Sequence, residues 1–302
     1  MELEKYTQYQ ETQKHGHPGF SYDTYLCTIP LDFPRVDLHW HDQMEIIYVK
    51  RGSGIISVDL QPYPVCAGCI MPVLPGELHG IEHTGQEPME YENIIFSLSI
   101  LDSTETDDWC RNHVINALRQ HTLRFKRPIA PGADLHRDAS AALDAADMAC
   151  ENRMAGYSLI VKSQLFLFLH ALYRHRDKSA ASSARTAETD KLKKLLSYVK
   201  EHYQEQITVS DAAAVVGYSE SHFMRLFKQE TGRTFVDYLT DYRLSAAVYY
   251  LKETELSVSA IAEMCGFDNI SYFIRRFRSK YELSPGGYRK RLMISAKQSA
   301  QS

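Results

Sequence analysis

The sequence predicts an α+β protein of two domains, an N-terminal antiparallel β-barrel with trailing helices and a C-terminal all-α domain. Three observations predict it: short β-rich runs before residue 100, a segment rich in Ala, Ser and Thr, and an internal repeat in the last third of the chain. A length of 302 residues suits two domains. We expect a first domain over residues 1–173, a linker over 174–189, a second domain over 190–291 and a tail over 292–302.

The first half of the chain has the pattern of a barrel. The runs MEIIYVK, GIISVDL, CIMPVL and YENIIFSLSI are separated by Gly, Pro and polar turns, as in antiparallel sheets. A helical pattern follows from Asp107 to Gln120 and again from Asp138 to Tyr173. The run SLIVKSQLFLFLHALY within it is apolar around most of its circumference, so this helix should be buried against the barrel or against another chain.

Polar residues interrupt the barrel pattern in HWHDQMEIIYVKRG. On an unbroken strand His39, His41 and Glu45 would point to one face, with Trp40 on the other. The stretch PGELHGIEH adds His79, with His83 four residues later.

The spacing His-x-His, three residues, Glu, six residues, Gly, followed by Gly76-x-x-His79, resembles the cupin barrel. The resemblance implies that His39, His41, Glu45 and His79 hold one Fe, Mn, Ni or Zn ion, a donor set that suits such borderline metals. The second motif departs from the cupin pattern, because Pro75 precedes Gly76 and no asparagine follows.

Three interpretations of these four residues stay open: a bound divalent transition metal, direct hydrogen bonds to an organic effector, and buried structural polar groups. The first two are compatible. A sugar is one candidate effector, because Trp40, Tyr48 and Tyr63 would suit a sugar ring, although they would equally suit a core.

The six cysteines are scattered, and the N-terminus is polar and acidic where a signal peptide would be basic and then apolar. We therefore expect reduced thiols and a cytoplasmic protein. The pair Cys66 and Cys69 forms a lone CxxC, which favours an inert turn over a metal or redox site.

The internal repeat lies in the second half. ITVSDAAAVVGYSESHFMRLF (207–227) aligns with LSVSAIAEMCGFDNISYFIRRF (256–277), and the aligned pairs include Gly217 with Gly266, Phe223 with Phe273, Arg225 with Arg275 and Phe227 with Phe277. In the first copy, Thr208 and Asp211 begin a helix as a capping box, Gly217 ends it, and Ser219 caps the next helix. Each copy therefore predicts a helix-turn-helix unit.

The second helix of each unit should offer a polar face to DNA. In the first copy the outward residues are Glu220, Ser221, His222, Arg225 and Lys228, and in the second they are Asn269, Ser271, Tyr272, Arg275 and Arg278. Asp268 or Asn269 should cap the second of these helices. A connecting helix over 235–254 would hold both units so that they enter successive major grooves, roughly 34 Å apart.

The charge distribution agrees with DNA binding by the second domain. Residues 1–189 carry 17 Lys and Arg against 25 Asp and Glu, a balance of -8, whereas residues 190–291 carry 16 against 13, a balance of +3. Such a basic half suits a polyanion, although a basic stripe can also be a solvated face.

Residues 190–291 resemble the DNA-binding domain of the AraC family of bacterial transcription regulators, through GYSESHFMRLFKQETGRTFVDYLTDYRLSAA and SVSAIAEMCGFDNISYFIRRFRSKYELSPGGYRK. The resemblance implies contacts to promoter DNA by both units, with base contacts from Glu220, Ser221, His222, Arg225, Asn269, Ser271, Tyr272 and Arg275. Arg276 departs from the family, since an apolar residue is usual there.

The N-terminal half resembles the cupin-like effector domain of the same family. That resemblance implies a small-molecule effector, a homodimer with contacts on helices within 138–173, a gating role for residues 1–20, and RNA polymerase as a candidate partner. The predicted function is thus an effector-controlled transcription regulator and not an enzyme. The alternative is a metal-dependent cupin enzyme fused to a DNA-binding module.

Overall fold

A computed structural model describes residues 20–32, 34–105, 107–152, 155–177 and 187–291. The chain divides into two compact units, with the main boundary between Thr186 and Ala187. The middle of the predicted linker lies outside the described residues, as do the tail and residues 1–19 of the arm to which a gating role is assigned.

The first unit contains two four-stranded antiparallel sheets in its described part, which confirms the predicted antiparallel barrel. The strands are β1 (Tyr22–Ile29), β2 (Arg35–His39), β3 (Met44–Arg51), β4 (Ser53–Val58), β5 (Gln61–Cys66), β6 (Ile70–Val73), β7 (His79–His83) and β8 (Met89–Phe96). One sheet has the order β1-β8-β3-β6 and the other the order β2-β7-β4-β5. The predicted run YENIIFSLSI ends as a strand at Phe96, because Leu98–Leu101 forms a turn of 3-10 helix that Ser97 caps.

The two faces of the first sheet have different roles. Met44 and Ile46 on β3 lie opposite Phe96 and Ile94 on β8, and all four belong to a core shared with the helices of this unit. Because side chains alternate along a strand, the residues between them, such as Glu45, point to the other face, toward the inside of the barrel.

Helices cover the outer face of this sheet. A turn of π-helix at Arg111–Ile115 leads into α1 (Asn116–Arg119), and the longer α2 (Asp134–Asn152) and α3 (Tyr157–Arg174) follow. The predicted helical stretch from Asp138 to Tyr173 is therefore two helices, separated by a segment in which Gly156 has a φ of 81°. Helix α3 buries Val161, Leu165, Phe168, Leu169 and Leu172. These residues belong to the core shared with the first sheet, as predicted for burial against the barrel. The opposite face is exposed in the single chain, and its burial against another chain stays a prediction.

The second unit is helical throughout its described part apart from turns. Its helices are α4 (Ala187–His202), α5 (Val209–Val216), α6 (Glu220–Thr231), α7 (Phe235–Glu253), α8 (Val258–Met264) and α9 (Ile270–Tyr281), with a further helical segment at 285–291. The predicted capping box of Thr208 and Asp211 is present, and Gly217 ends α5 with a φ of 70°. Ser219 and Asn269 cap α6 and α9.

None of the helices in the described part of the chain combines the length and the apolarity that crossing a bilayer requires.

Candidate functional site

The four polar residues predicted from the barrel motifs come together. The candidate ligand atoms of His39, His41, Glu45 and His79 all lie within 4.8 Å of one another. Glu45 is the centre: its Oε2 lies 2.8 Å from His41 Nε2 and 2.9 Å from His79 Nε2. We call this group the histidine–glutamate cluster.

The reason given for the convergence from sequence is wrong, because the strand is broken. His39 ends β2 in one sheet, His41 lies in the connection, and Glu45 belongs to β3 in the other sheet. The pairing of β2 with β7 places His39 directly opposite His79, next to an irregularity in register. The cluster therefore forms where the two sheets meet and not along one strand face.

Backbone carbonyl groups orient all three histidine rings. The Nδ1 atoms of His39, His41 and His79 lie 2.9, 3.1 and 2.9 Å from the carbonyl oxygens of Asp37, Gln43 and Glu77. A carbonyl oxygen only accepts, so each Nδ1 must donate a proton, and each Nε2 is then the nitrogen that remains for a ligand.

Burial and charge set the protonation of the cluster. Burial lowers the pKa of His39 to about 3, helped by the neighbouring His79. Burial alone would raise the pKa of Glu45, but His79 and His41 hold it well below its usual value. Burial alone would lower the pKa of His79, but the Glu45 carboxylate raises it.

This arrangement calls for a cation. If Nδ1 donates to a carbonyl group in each ring, a neutral imidazole would direct an Nε2 lone pair at the Glu45 carboxylate, which is repulsive. A proton shared with His79 resolves the conflict, and so does a metal ion bound by the nitrogens and the carboxylate. The residues present fit a divalent transition metal.

A second polar network, which was not predicted from the sequence, lies next to His79. The buried Glu77 carboxylate accepts from the Leu74 N–H and from Arg127, both at 2.8 Å. His121 approaches the same carboxylate at 3.8 Å. Since the Glu77 carbonyl group also holds the His79 ring, this network fixes a cluster residue in place. The one signal in the sequence is a glutamate two positions before His79.

Of the three aromatic residues that would suit a sugar ring, Tyr48 lies outside the barrel interior. Tyr48 packs on the helix-covered face of the first sheet, with Lys50 Nζ 3.7 Å from its ring centre. Tyr63 lies directly opposite Ile56, a fully buried residue of the second sheet. Trp40 is partly buried in the connection after β2.

The first predicted DNA-binding surface is formed by α6. Phe223 and Phe227 are buried, whereas Glu220, Ser221, Arg225 and Lys228 are exposed. His222 is partly buried against the Tyr218 ring, with ring centres 4.5 Å apart.

The second surface, on α9, has the same design. Residues 221–231 and 271–281 have the same sequence of buried, partly buried and exposed positions, so the repeat seen in the sequence is also a repeat of packing. Ser271, Arg275 and Arg278 are exposed, and Arg275 lies 5.5 Å from the ring centre of the partly buried Tyr272. Asn269 has a structural task as well, because its Oδ1 accepts from the Tyr272 N–H at 2.9 Å and caps α9.

Arg276, at the position that departs from the family pattern, forms an ion pair of 3.2 Å with Asp237 on α7. The connecting helix therefore holds this side chain beside α9.

A group of contacts within the helical domain, between the first and the second helix-turn-helix unit, was not predicted from the sequence. Arg243 on α7 donates to the carbonyl oxygens of Tyr203 and Glu205. A Cβ at Gly266 would lie 2.6 Å from the same Tyr203 oxygen, so only glycine fits. Gln206 also hydrogen-bonds to Asp268 in the second turn. We call this group the inter-unit clamp. No local motif marks it, since its members are spread over more than sixty residues.

Comparisons with known proteins agree with both the barrel domain and the helix-turn-helix domain. A model described as an AraC-like ligand binding domain matches residues 25–142, and a helix-turn-helix domain model matches residues 212–291. One similar protein is the HTH-type transcriptional activator RhaS of Escherichia coli strain SE11. It is 27% identical over 273 residues, which cover 86% of this chain and 88% of that protein. The HTH-type transcriptional regulator YdeC of Bacillus subtilis is 23% identical over 258 residues, covering 84% and 86%.

Similar solved structures include ToxT from Vibrio cholerae with a bound unsaturated fatty acid. Its TM-score is 0.44 and its sequence identity is 14%, over 92% of this chain and 97% of that one. The DNA-binding domain of AdpA in complex with a target DNA has a TM-score of 0.33 and 29% identity over 34% and 94%. With a ligand-binding barrel and a duplicated helix-turn-helix domain each matched by its own family model, the chain belongs to the AraC family of transcription regulators.

Proposed function

We propose that this protein is a transcription regulator whose barrel domain binds a small effector and thereby controls how the two helix-turn-helix units bind promoter DNA. The observation that carries the proposal is the presence, in one chain, of the histidine–glutamate cluster and of two helices with the same buried pattern and exposed polar faces. An effector controls DNA binding only if it binds one arrangement of the protein more tightly than another.

The relatives match more than four fifths of the chain and are transcription regulators, which supports a regulator over an enzyme. The fused cupin enzyme remains the rival interpretation of the cluster chemistry. It would require turnover of a substrate at the cluster, which regulation does not.

The DNA contacts belong to the exposed faces of α6 and α9. We assign base contacts to Glu220, Ser221, His222, Arg225, Asn269, Ser271, Tyr272 and Arg275, and phosphate contacts to Lys228 and Arg278. Arginine suits base edges and phosphates alike, whereas lysine acts mainly as a point charge toward phosphates.

We extend the proposal to a divalent transition metal at the histidine–glutamate cluster. The three Nε2 atoms and the Glu45 carboxylate would hold the ion, which would supply a Lewis-acidic position for an oxygen of the effector. Co(II) added to the metal-free full chain should give one equivalent of bound metal with a d–d absorption band. His79→Ala should lose the band, and His113→Ala, which changes an exposed histidine, should keep it. Absence of any band with the wild-type chain would mean that the cluster binds the organic effector without a metal ion.

Further partners follow from the family and from the surface. A second copy of the chain would cover the exposed apolar face of α2 and α3, which includes Met148, Leu159 and Leu167. A regulator bound at a promoter lies beside RNA polymerase, which is the proposed protein partner. Because bacterial promoters are in the cytoplasm, that is the proposed location.

The first domain ends near residue 173 and the DNA-binding domain spans 190–291 in this proposal.

The test is a fluorescence anisotropy titration of the full chain against the DNA upstream of its own gene and against scrambled DNA of equal length. We expect selective binding that weakens steeply as salt increases, because phosphate contacts release counterions. Equal affinity for the two DNAs at every salt concentration, with and without candidate effectors, would refute the proposal.

A further inference from the structure

The two cysteine side chains of the lone CxxC meet at the turn between β5 and β6. Cys66 is the last residue of β5, and Cys69 comes directly before β6. Their Sγ atoms lie 3.7 Å apart, within hydrogen-bond distance for two thiols. The sequence favours an inert turn at this position. The turn is present, but it brings together two nucleophilic groups that the proposed function does not use.

The backbone of this turn permits a bond between the two sulfur atoms. The Cys69 N–H donates to the Cys66 carbonyl oxygen at 2.9 Å, which closes a β-turn. Gly68 has a φ of 86°, which suits the third position of a type II turn. The Cα atoms at the two ends of a β-turn lie less than about 7 Å apart, and a disulfide spans about 4.4–6.8 Å. Rotation of the two side chains could therefore close the bond without opening the turn.

Neighbouring elements hold the turn in place from two sides. The Gly68 N–H donates to the Val49 carbonyl oxygen at 2.8 Å, and the Val49 N–H donates to the Cys69 carbonyl oxygen at 2.9 Å. From α2, the Nε2 of His136 donates to the Gly68 carbonyl oxygen at 2.7 Å. Because the turn is already ordered, bond formation between the sulfur atoms would cost little conformational entropy.

The two thiols differ in their access to solvent. Of the six cysteines, all of which lie within the described ranges, only Cys66 is exposed. Cys69 is 4% exposed, and burial raises the pKa of its thiol. An oxidant in solution therefore meets Cys66 first, with Cys69 directly beside it. An accessible thiol next to a second cysteine is the arrangement that resolves an oxidised sulfur as a disulfide.

We propose that Cys66 and Cys69 form a reversible disulfide on exposure to a hydroperoxide, so that this turn is a redox modification site. The Cys66 sulfur attacks one oxygen of the peroxide, the O–O bond breaks, and the departing oxygen takes up the thiol proton. Cys66 is then a sulfenic acid. The Cys69 sulfur attacks the Cys66 sulfur, the S–O bond breaks, and hydroxide leaves with the Cys69 proton as water. The two thiols together lose two electrons and two protons, and the hydroperoxide is reduced to an alcohol and water.

The inference goes beyond the proposed function and does not depend on it, because the disulfide requires neither an effector nor DNA.

The test uses the full chain, reduced and then freed of reductant, with hydrogen peroxide as the probe. Mass spectrometry of the intact chain should show the loss of two hydrogen atoms, and peptide mapping after alkylation should locate the bond between Cys66 and Cys69. Dithiothreitol should restore both thiols. The pair should be oxidised at least tenfold faster than Cys110, a partly buried cysteine whose thiol pKa burial raises.

Single substitutions separate the two steps. Cys69→Ser should stop the reaction at the sulfenic acid of Cys66, which dimedone would trap. Cys66→Ser should leave the buried Cys69 thiol unreacted during the same exposure. Cys110→Ser is the control and should form the disulfide at the wild-type rate. The peptide map of the wild-type chain needs no variant, so it decides the result even if a substitution prevents folding.

Three outcomes would overturn the proposal. The first is oxidation of the pair no faster than that of Cys110. The second is accumulation of sulfinic acid at Cys66 without a disulfide. The third is a disulfide from Cys66 to any partner other than Cys69 of the same chain.

Discussion

Arg243 on α7 holds the connection between α4 and α5: the Nε of Arg243 donates to the Tyr203 carbonyl oxygen at 2.7 Å. A second donor, Nη2, reaches the Glu205 carbonyl oxygen at 2.6 Å. If two recognition helices bind one duplex, they must keep a fixed separation, and we expect this contact to help the connecting helix to set it.

Arg243→Met should therefore weaken binding to the complete operator more than binding to either half alone. The substitution keeps the aliphatic stem but leaves two carbonyl groups without a charged donor, which costs about 1–3 kcal/mol for each such group that stays buried. Anisotropy with full and half operators measures the difference. Lys252→Met, on the same helix with a partly exposed ammonium paired to Glu253, is the control. An equal loss on full and half sites would contradict a role in spacing.

The two basic residues of α9 should separate into different roles. Arg275→Ala should relax the preference for particular bases, at about 1–3 kcal/mol for the correct site, because its exposed guanidinium suits a base edge. Arg278→Ala should weaken binding to all sequences alike and reduce the salt dependence by about one phosphate contact. Competition titrations over a range of salt concentrations distinguish the two outcomes, and a change of sequence preference in Arg278→Ala would count against its assignment.

Asn269 has a double assignment that substitution can resolve. As the cap of α9, its loss in Asn269→Ala should lower the free energy of unfolding by about 1 kcal/mol. Asn269→Ser restores a capping oxygen, so stability should return. If Asn269 also contacts a base, DNA selectivity should stay reduced in the serine variant. Full recovery of both properties would leave Asn269 with the capping role alone.

The pH dependence of stability should carry a contribution from Asp147 on α2 and Glu92 on β8. Burial and the hydrogen bond with Glu92 raise the pKa of Asp147 to about 8. Burial alone would raise the pKa of Glu92, but its hydrogen bonds with Asp147, Thr24 and Lys50 lower it. A carboxyl group whose folded pKa is raised holds its proton more tightly in the folded state. Its contribution to stability is therefore lost as pH rises from about 4 to about 8.

Asp147→Asn should accordingly gain stability relative to the wild type as pH rises through this window. Thermal melts from pH 4 to pH 9 measure the effect. Asp144→Asn, an exposed carboxylate 3.9 Å from Lys50, serves as the control and should show no such trend. A constant difference between Asp147→Asn and the wild type across the window would refute the shared proton.

The exposed face of α3 should hold a second copy of the chain. Leu159, Ile160, Phe166 and Leu167 recur at helical spacing and are 72, 46, 40 and 54% exposed. A charge in such a surface opposes its burial, so Leu167→Glu should shift a dimer to monomer in light scattering. Leu31→Glu, at a leucine that is 57% exposed in a loop of the same unit, should leave the association unchanged. A wild-type chain that is monomeric at high concentration would exclude this interface.

Much of the architecture was predictable because it depends on local signals. The glycine, the caps and the paired phenylalanines of each repeat determine a helix-turn-helix within some twenty residues, and the structure agrees at Thr208, Gly217 and Ser219. The association of His39, His41, Glu45 and His79 was also predictable, through the motif spacing.

The physical basis of that site was not predictable in the same way. His39 and Glu45 belong to different sheets, so their contact depends on how the sheets pack and not on alternation within a strand. The carbonyl groups that orient the rings come from Asp37, Gln43 and Glu77, whose side chains say nothing about that role. The inter-unit clamp, likewise, joins residues with no common motif.

The repeated packing of α6 and α9 has a consequence for the orientation of the protein on a promoter. The buried positions coincide, but the outward residues at equivalent places differ: Glu220 with Ile270, and His222 with Tyr272. If both helices bind DNA, a single chain would therefore read two unlike half-sites in a fixed order. Its target would have a left and a right end, and inverting the target would exchange the half-sites that α6 and α9 meet.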